Sequence, residues 1–170
     1  MGDGTPDTVV VTGVAGVGKS VVAQGIARAT GWTLAEGDGF HPPDNVAKMR
    51  AGRALTDADR WPWLAALRDW IAVQERAGSS CVVSCSALKR SYRDVLRDGN
   101  PSVRFCALQA DGEVLRGRLE SRREHFMPAS LLNSQLGTQE PLGADEPGVR
   151  VDAAGEPAVV VVSALDALGL

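Results

Sequence analysis

Short apolar runs alternate along the chain with longer stretches in which apolar residues recur every three to four positions. The runs are bounded by glycine, proline or charged residues, which is typical of buried strands in a parallel sheet. This pattern predicts five strands, at residues 8–12, 33–36, 80–84, 103–109 and 149–152. Because strands that alternate with helices pack as one parallel sheet covered on both faces, the sequence predicts a three-layer α/β/α fold.

The stretches between the strands predict helices that each have one apolar face. They lie at residues 21–30, 44–50, 86–97, 111–123, 128–136 and 157–168, and a longer one runs from the cap-like residues 56–59 to Gly78. On this longer helix Pro62 suits the first turn, and the positions of Trp63 and Trp70 on the apolar face favour core packing. No repeat or change of composition divides the chain, so residues 1–170 are predicted to form a single domain.

One stretch, Gly13-Val14-Ala15-Gly16-Val17-Gly18-Lys19-Ser20, matches the phosphate-loop pattern G-x-x-x-x-G-K-[ST] at every fixed position. It lies between a predicted strand and a predicted helix, as this loop requires. Glycines allow the backbone to approach a phosphate closely, and the following helix directs free N–H groups at the anion. The pattern predicts that Lys19 neutralises the β- and γ-phosphates and that the Ser20 hydroxyl binds Mg²⁺. A dinucleotide fingerprint fits less well, because Val21 stands where a third glycine would be.

The composition, with 44% hydrophobic and 23% charged residues, is that of a globular domain with one sizeable core. A net charge of −3 gives no basic footprint for nucleic acid or an anionic membrane, so the expected partner is a small molecule. The N-terminus lacks signal-peptide features and no apolar run is long enough to span a membrane, which predicts a cytoplasmic protein. Cys81, Cys85 and Cys106 are odd in number and lie in apolar runs, which favours buried side chains over a disulfide or metal set. The oligomeric state stays open, with a homodimer as one option.

Phosphoryl transfer requires a phosphate cradle, Mg²⁺, a group that orients or deprotonates the acceptor hydroxyl, and cations over the transferring phosphoryl group. The glycine loop is the candidate cradle, and Ser20 is the candidate metal ligand, with Glu36 or Asp38 behind it. Asp38 is also the candidate base, although Gly37-Asp38-Gly39 is equally good turn chemistry. The candidate cations are Lys19, Arg118 and Arg122, of which the last two lie four residues apart on one helix face.

Further motifs extend over roughly residues 8 to 150. They are Glu36-Gly37-Asp38 with His41-Pro42; Asn45-x-x-Lys48-Met49-x-x-Gly52-x-x-Leu55-x-Asp57-x-Asp59-Arg60-x-Pro62-Trp63-Leu64; Cys85-Ser86-Ala87-Leu88-Lys89-x-x-Tyr92-Arg93-Asp94-x-Leu96-Arg97; Arg118-Leu119-x-x-Arg122-Arg123-x-His125-Phe126-Met127; and Ser134-Gln135 to Glu140-Pro141. Together with the phosphate loop, these motifs closely resemble gluconate kinase (gluconokinase) of the phosphate-loop kinase type.

The resemblance implies ATP-dependent phosphorylation of D-gluconate at its 6-hydroxyl, on a fold like that of nucleoside-monophosphate kinases. It also implies an acceptor-binding segment at residues 38–63 and a mobile lid within residues 118–136. Carried over by position, Asp38 becomes the acceptor-side carboxylate, Arg122 a lid cation and His125 a substrate-binding residue. ATP and Mg²⁺ are therefore the expected cofactors.

The polar residues of the acceptor-binding segment suit a polyhydroxy acid, which requires cations for its carboxylate and polar groups for its hydroxyls. The candidates are His41, Lys48, Asp57, Asp59, Arg60 and Arg93. A loop residue stacked on a proline is the alternative for His41, and a solvated helix face is the alternative for Arg93. Two positions depart from the family pattern, Glu124 in place of a usual glycine and Gln139 in place of a usual apolar residue, and neither removes a catalytic group.

Two other functions are compatible with parts of the sequence. A shikimate-type or other small-metabolite kinase would keep the phosphate loop and change the acceptor, but the segment from His41 to Trp63 resembles gluconate kinases. A nucleotide-dependent switch protein would use Asp152-Ala153-Ala154-Gly155 as a D-x-x-G motif. That motif lies too near the C-terminus for a switch protein, and no N-K-x-D guanine motif occurs in the chain.

Overall fold

The computed structural model of the chain describes residues 4–121 and 131–170. Its five strands are β1 (Thr8–Thr12), β2 (Thr33–Glu36), β3 (Cys81–Ser84), β4 (Val103–Gln109) and β5 (Gly148–Asp152). Neighbouring strands pair in parallel, in the order β2-β3-β1-β4-β5. The predicted parallel sheet is confirmed, with strand bounds within one residue of those predicted.

The described helices flank this sheet on both faces. They are α1 (Lys19–Thr30), α2 (Pro43–Arg50), α3 (Asp57–Arg76), α4 (Arg90–Arg97), α5 (Gly112–Glu120), α6 (Leu132–Thr138) and α7 (Pro157–Leu168), and a 3₁₀ turn spans Gly37–Phe40. Among these described helices, none is long and apolar enough to cross a membrane.

Two apolar clusters, one on each face of the sheet, form the core. Successive residues of a strand point to opposite faces, so Val9 packs with Ile26 of α1 and Val160 of α7. Val10 packs instead with Leu64 of α3 and Tyr92 of α4. Each fully buried side chain of this size stabilises the fold by about 1.5–3 kcal/mol, which explains why residues 9–11 of β1 are all valine. The three cysteines are buried and free, as predicted.

The start of α3 differs slightly from the prediction. The Thr56 hydroxyl accepts a hydrogen bond from the Asp59 N–H (3.2 Å), and the Asp59 carboxylate accepts one from the Thr56 N–H (2.8 Å). This reciprocal cap satisfies two N–H groups at the helix end, so the helix begins at Asp57. Pro62 therefore lies in the second turn and not in the first.

The prediction that α4 begins at Ser86 is wrong, because residues 86–89 form a loop and the helix begins at Arg90. The loop carbonyls are used elsewhere. Ala87 O and Leu88 O accept hydrogen bonds from Arg93 Nη1, and Leu88 O also accepts one from the Glu140 N–H. Because these carbonyls accept those bonds, they do not form the helical hydrogen bonds that the periodicity predicts.

The helices on either side of residues 122–130 can be compared with the prediction over their described parts. α5 ends at Glu120, and α6 begins at Leu132. The predicted extensions to Arg123 and from Pro128 lie outside the described residues.

Candidate active site

The phosphate loop connects the end of β1 to the start of α1, at the carboxyl edge of the parallel sheet. Gly18 caps α1 with φ +103°, a conformation that residues with a Cβ rarely adopt. Lys19 is the first residue of the helix, and its Nζ donates to the Val14 carbonyl at 3.1 Å. The ammonium group thus lies over the loop that the sequence predicts to hold phosphates.

A hydrogen bond joins this loop to α6. The Ala15 N–H donates to Gln135 Oε1 at 2.7 Å, across 120 positions of sequence. Gln135 was part of a matched motif, but the sequence assigned it no role.

Two hydroxyl groups converge on the carboxylate of Glu36. Glu36 Oε2 accepts a 2.9 Å hydrogen bond from Ser20 Oγ of α1 and a second bond from Ser84 Oγ. Ser84 is the register partner of Glu36 across the β2-β3 pair, so the sheet itself brings these groups together. Carboxylate and hydroxyl oxygens are ligands that Mg²⁺ accepts. Within the described residues no group of three or more His, Cys, Asp or Glu side chains could hold a metal, so a Mg²⁺ here would take its other ligands from phosphate and water.

A cleft with a volume of about 570 Å³ lies between the phosphate loop and the start of α7. This α1–α7 cleft is lined by Val17, Gly18, Val21, Arg118 and residues 153–157, among others. The Arg118 guanidinium donates to carbonyls on both walls, at 3.2 Å to Val17 and 2.6 Å to Ala153. Arg118 therefore holds the phosphate loop to the β5–α7 connection, and its cation lines the cleft.

The segment considered as a D-x-x-G switch motif is part of that connection. Asp152 Oδ1 accepts a hydrogen bond from the Ala154 N–H at 2.9 Å, which makes a local turn. The carbonyls of residues 153–155 accept bonds from Arg118. These contacts account for the motif as the turn that leads into α7.

A second cleft lies between α2, α3 and α6, and one of its lining residues, Gln135, is hydrogen-bonded to the phosphate loop. We call it the α2–α3 cleft, and the polar residues that line it include Asp38, His41, Arg60, Ser134 and Gln135. Three of the residues predicted to bind substrate, Asp38, His41 and Arg60, are thus brought together by the fold.

Asp38 and Glu36 do not share one side as their spacing suggested. β2 ends at Glu36, and Asp38 lies in the 3₁₀ turn that follows. A Cβ at Gly37 would clash with the Ser84 carbonyl oxygen, so the turn lies close against β3. Glu36 consequently contacts Ser20, whereas Asp38 lines the α2–α3 cleft.

The ring of His41 is held in a fixed orientation. It stacks on the buried Trp63 with ring centroids 4.1 Å apart, and Trp63 Nε1 donates to the Gly37 carbonyl at 2.8 Å. Asn45 Nδ2 lies 3.2 Å from His41 Nδ1 and also donates to the Asp59 carbonyl. Because the Asn45 amide nitrogen is a donor, Nδ1 is the acceptor and the proton of the neutral ring is on Nε2.

Burial lowers the pKa of His41 to about 4, with the nearby Asp38 raising it and Arg60 lowering it further. The ring is therefore neutral near pH 7 and acts as a hydrogen-bonding group.

The charged groups of Asp38 and Lys19 lie near Cys85, which follows the end of β3. Burial raises the pKa of the Cys85 thiol. Asp38 also raises this pKa and Lys19 lowers it, so both charges lie near the same buried sulfur.

Arg60 is positioned by an aromatic hydroxyl network behind the cleft. Its Nη1 donates to the Tyr92 hydroxyl at 3.0 Å, and Tyr92 donates in turn to Asp57. Lys89 lies 3.5 Å from Asp57. Burial and the hydrogen bond to Asp57 raise the pKa of Tyr92 to about 12, so this phenol stays protonated near pH 7 and keeps its hydrogen bonds to Asp57 and Arg60.

Lys48 and Arg93 are engaged elsewhere. Lys48 Nζ donates to Asp59 at 2.7 Å, and this bond is the main cause of the Asp59 pKa of about 2. Arg93 is 3% exposed and pairs with the buried Glu146 at 2.8 Å. Its guanidinium also donates to the carbonyls of Ala87, Leu88, Glu140 and Pro141. These contacts favour structural roles for both residues, and they exclude the solvated helix face considered for Arg93.

Two predicted site residues, Arg122 and His125, lie outside the described residues. Other residues that build the clefts had no assigned role in the sequence. They are Asn45, Ser84, Tyr92 and Gln135, all polar; Asn45 lies four residues from His41, whereas the other three reach a candidate residue or the loop only through tertiary contacts. Local spacing carries no signal for such contacts.

Comparison with known proteins finds that this chain is similar to sugar kinases. The chain is 51% identical to a gluconokinase of Gluconobacter oxydans over 92% of this chain and 88% of the relative. A solved sugar kinase from Janibacter sp. is similar with a TM-score of 0.92 and 50% identity, covering 96% of this chain and 95% of that one. A gluconokinase from Sinorhizobium meliloti is similar with a TM-score of 0.86 and 46% identity, covering 97% and 93%.

More distant proteins are similar to this chain in fold only. A shikimate kinase from Bacteroides thetaiotaomicron has a TM-score of 0.71 at 15% identity, covering 96% of this chain and 99% of that one. The predicted phosphate-loop kinase fold is thereby confirmed. No protein-family model matches the chain.

Proposed function

This chain belongs to the gluconokinase family, and from that premise we propose that it transfers the γ-phosphoryl group of ATP to the 6-hydroxyl of D-gluconate. The products are ADP and 6-phospho-D-gluconate. The observation that carries the proposal is that two clefts adjoin one phosphate loop, with a carboxylate, a neutral imidazole and a guanidinium in the second.

The α1–α7 cleft is the proposed nucleotide site. The loop from Gly13 to Ser20 would hold the phosphates through its N–H groups, with Lys19 close to the β- and γ-phosphates. Arg118 would border the nucleotide, since it lines this cleft and contacts the loop. The predicted ATP-binding roles of the phosphate loop, Lys19 and Arg118 are therefore retained as proposals.

The oxygen donors at the start of α1 fit a Mg²⁺ ion that accompanies the nucleotide. Ser20 would bind the ion directly, and Glu36, which already accepts the Ser20 hydrogen bond, would hold its water ligands. When bound, Mg²⁺ neutralises charge that develops on the phosphates.

In the proposed transfer step, the 6-hydroxyl oxygen attacks the γ-phosphorus and the bond between that phosphorus and the β–γ bridging oxygen breaks. The hydroxyl proton passes to the Asp38 carboxylate, and the leaving oxygen remains on ADP. Asp38 suits this role because it lines the acceptor cleft, whereas Glu36 is occupied by two hydroxyls.

Acceptor recognition rests on the other residues of the α2–α3 cleft. Arg60 would bind the carboxylate of the sugar acid, and the Nε2–H of His41 would donate to a hydroxyl. Lys48 and Arg93 are left out of this set, because their charged groups are paired with Asp59 and Glu146. Arg122 and His125 remain proposals that rest on the family resemblance.

A shikimate-type acceptor is less well supported, since the likeness to shikimate kinase is at 15% identity and concerns the fold. We further propose that the enzyme works in the cytoplasm, where ATP is supplied. The homodimer remains an option that a sedimentation measurement would decide.

A coupled ADP-release assay with Mg·ATP and gluconate, shikimate or 2-ketogluconate tests the proposal. Turnover should depend on gluconate, and Lys19→Ala should reduce it about 10²-fold or more, as expected for removal of one preorganised cation. Arg28→Ala, at the exposed far end of the same helix, is the matched control. Turnover with shikimate and none with gluconate would contradict the proposed acceptor.

A further inference from the structure

Asn45 of α2 joins the ring of His41 to the first turn of α3. The residue is 4% exposed. Its Nδ2 donates to the Asp59 carbonyl at 2.8 Å and lies 3.2 Å from His41 Nδ1. Because a carbonyl oxygen can only accept a hydrogen bond, the amide atom that faces it must be the nitrogen. The contact with Asp59 therefore fixes the orientation of the amide, and the ring meets a donor at Nδ1.

Both the amide and the ring are held by fixed elements. Lys48, one turn further along α2, pairs with the Asp59 carboxylate at 2.7 Å, which ties α2 to the start of α3 a second time. The His41 ring stacks on Trp63, which is 1% exposed. Such support is what accurate positioning of a functional group requires.

The second nitrogen of the ring, Nε2, is accessible on a residue that lines the cleft. Within the part of the chain that the structure describes, the buried side-chain nitrogen and oxygen atoms without a hydrogen bond are Glu75 Oε2 and Asn100 Oδ1. His41 Nε2 makes no hydrogen bond to the described residues and is not one of these two atoms, so it is accessible to solvent. The charges of Asp38 and Arg60, which line the same cleft, act on the ring. The accessible edge of the ring therefore borders the site proposed for the sugar acid.

A hydroxyl group that binds between Asp38 and His41 requires one particular tautomer of the neutral ring. Both residues line the α2–α3 cleft. A carboxylate can only accept, so the hydroxyl gives its one proton to Asp38 and keeps its lone pairs for another donor. An Nε2–H group supplies that donor, whereas the other tautomer would set the lone pair of Nε2 against the lone pairs of the hydroxyl oxygen.

We propose that Asn45 is a positioning residue of the acceptor site, which holds the His41 ring in the Nε2–H tautomer so that the ring donates to a hydroxyl oxygen of the sugar acid. This inference rests on the proposed function, because it needs an acceptor in the α2–α3 cleft. Asn45 is buried and acts through the ring. The tautomer can be measured without an acceptor.

Nitrogen-15 NMR of the imidazole reads the tautomer in the ligand-free protein, with the signals assigned by His41→Gln. At about pH 8.5, well above the ordinary histidine pKa of about 6.5, the wild type should carry its proton on Nε2. Asn45→Asp keeps the size of the side chain and replaces the donor by an acceptor, so the proton should move to Nδ1. Asn100→Asp makes the same change at another buried asparagine, whose Nδ2 donates to the carbonyls of Arg68 and Leu96 before β4. This control should leave the His41 signals unchanged.

Steady-state kinetics connects the tautomer to the acceptor. Asn45→Asp should raise the KM for gluconate about tenfold, as for loss of one hydrogen bond, with the affinity for a non-hydrolysable ATP analogue within about twofold. Asn45→Leu should raise this KM less, because a ring without a partner at Nδ1 can still carry its proton on Nε2. A merely structural role predicts the reverse order, since leucine removes both hydrogen bonds. In a His41→Gln background, where the amide donates in either case, Asn45→Asp should change the KM less than about twofold.

A wild-type ring that carries its proton on Nδ1 would overturn the inference, and this outcome needs no variant to fold. The inference also fails if Asn45→Asp leaves the proton on Nε2, or moves it to Nδ1 without raising the KM for gluconate. If the wild type phosphorylates a different acceptor, the same comparison is made with that acceptor. Absence of transfer to any acceptor, with the expected tautomer present, would contradict the proposed function and with it the acceptor role of Asn45. The wrong tautomer with normal turnover contradicts this inference alone.

Discussion

At the scale of single residues, Glu36 and Asp38 have separate environments although only one residue stands between them. Glu36 accepts hydrogen bonds from two serines, whereas Asp38 borders the cleft that holds His41 and Arg60. The sequence could identify both carboxylates but not divide the roles, because the division depends on the 3₁₀ turn packed against β3. This difference predicts unequal effects of removing each charge.

Asp38→Asn is expected to lower kcat far more than it raises the KM for ATP. The amide still accepts a hydrogen bond but cannot take the acceptor proton. Steady-state kinetics with ATP and gluconate measure both constants, and Asp44→Asn, at an exposed position of α2, is the control. Weaker ATP binding with unchanged kcat would assign Asp38 to the metal instead.

His41 is expected to make stability depend on pH in a defined interval. Its pKa is about 4 in the folded protein and about 6.5 in the unfolded chain. Between these values the unfolded chain binds a proton that the folded protein does not, so the free energy of unfolding falls as the pH is lowered from about 6.5 to about 4. Urea unfolding across this range should show a smaller decrease in His41→Gln, and an equal decrease would contradict the shifted pKa.

At the scale of elements, Arg93 of α4 joins the helix to the segment that follows α6. Its ion pair with Glu146 is buried on both sides, with side-chain exposures of 3% and 1%. Arg90, one turn earlier, adds a pair with Asp145 at the surface. These ion pairs could not be predicted from periodicity, because the partners lie about fifty residues away.

Arg93→Met is expected to lower the free energy of unfolding by about 3–5 kcal/mol, since it leaves the Glu146 carboxylate buried without its partner. The double variant with Glu146→Gln should lose less than the sum of the two single changes. Arg97→Met on the same helix is the control, with a change expected within about 0.5 kcal/mol. An unchanged free energy of unfolding in Arg93→Met, together with a raised KM for gluconate, would instead assign Arg93 to the substrate site.

We predict that the segment between α5 and α6 acts as a lid that closes over bound ATP and gluconate. Arg118 and Arg122 lie four residues apart, and Arg118 already contacts the phosphate loop. Closed lids exclude water and strengthen contacts between cations and phosphates. Residues 118–127 should therefore gain protection from hydrogen exchange when an ATP analogue and gluconate are both bound. Arg122→Ala should lower kcat, whereas Arg116→Ala on α5 should not.

Unchanged protection of residues 118–127, combined with full kcat in Arg122→Ala, would remove the lid role. Protection in β1 serves as the internal reference, because its residues are buried in the sheet.

At the scale of the whole molecule, the fold was predictable because its signals are local. Five apolar runs and one glycine loop are enough to indicate a parallel sheet with a phosphate site at its carboxyl edge. The site was predictable in part. Lys19, Ser20 and Asp38 belong to local motifs, while the contacts of Ser84 and Gln135 join residues 48 and 120 positions apart, which meet only in the folded chain.

The central claim is that one phosphate loop serves an ATP site on one side and a gluconate site on the other. The most direct test is ³¹P NMR of the purified protein with Mg·ATP and gluconate. We predict that a phosphomonoester signal coupled to the C6 protons of gluconate grows as the γ-phosphate signal of ATP disappears. Release of inorganic phosphate without that signal, or no loss of ATP, would contradict the claim.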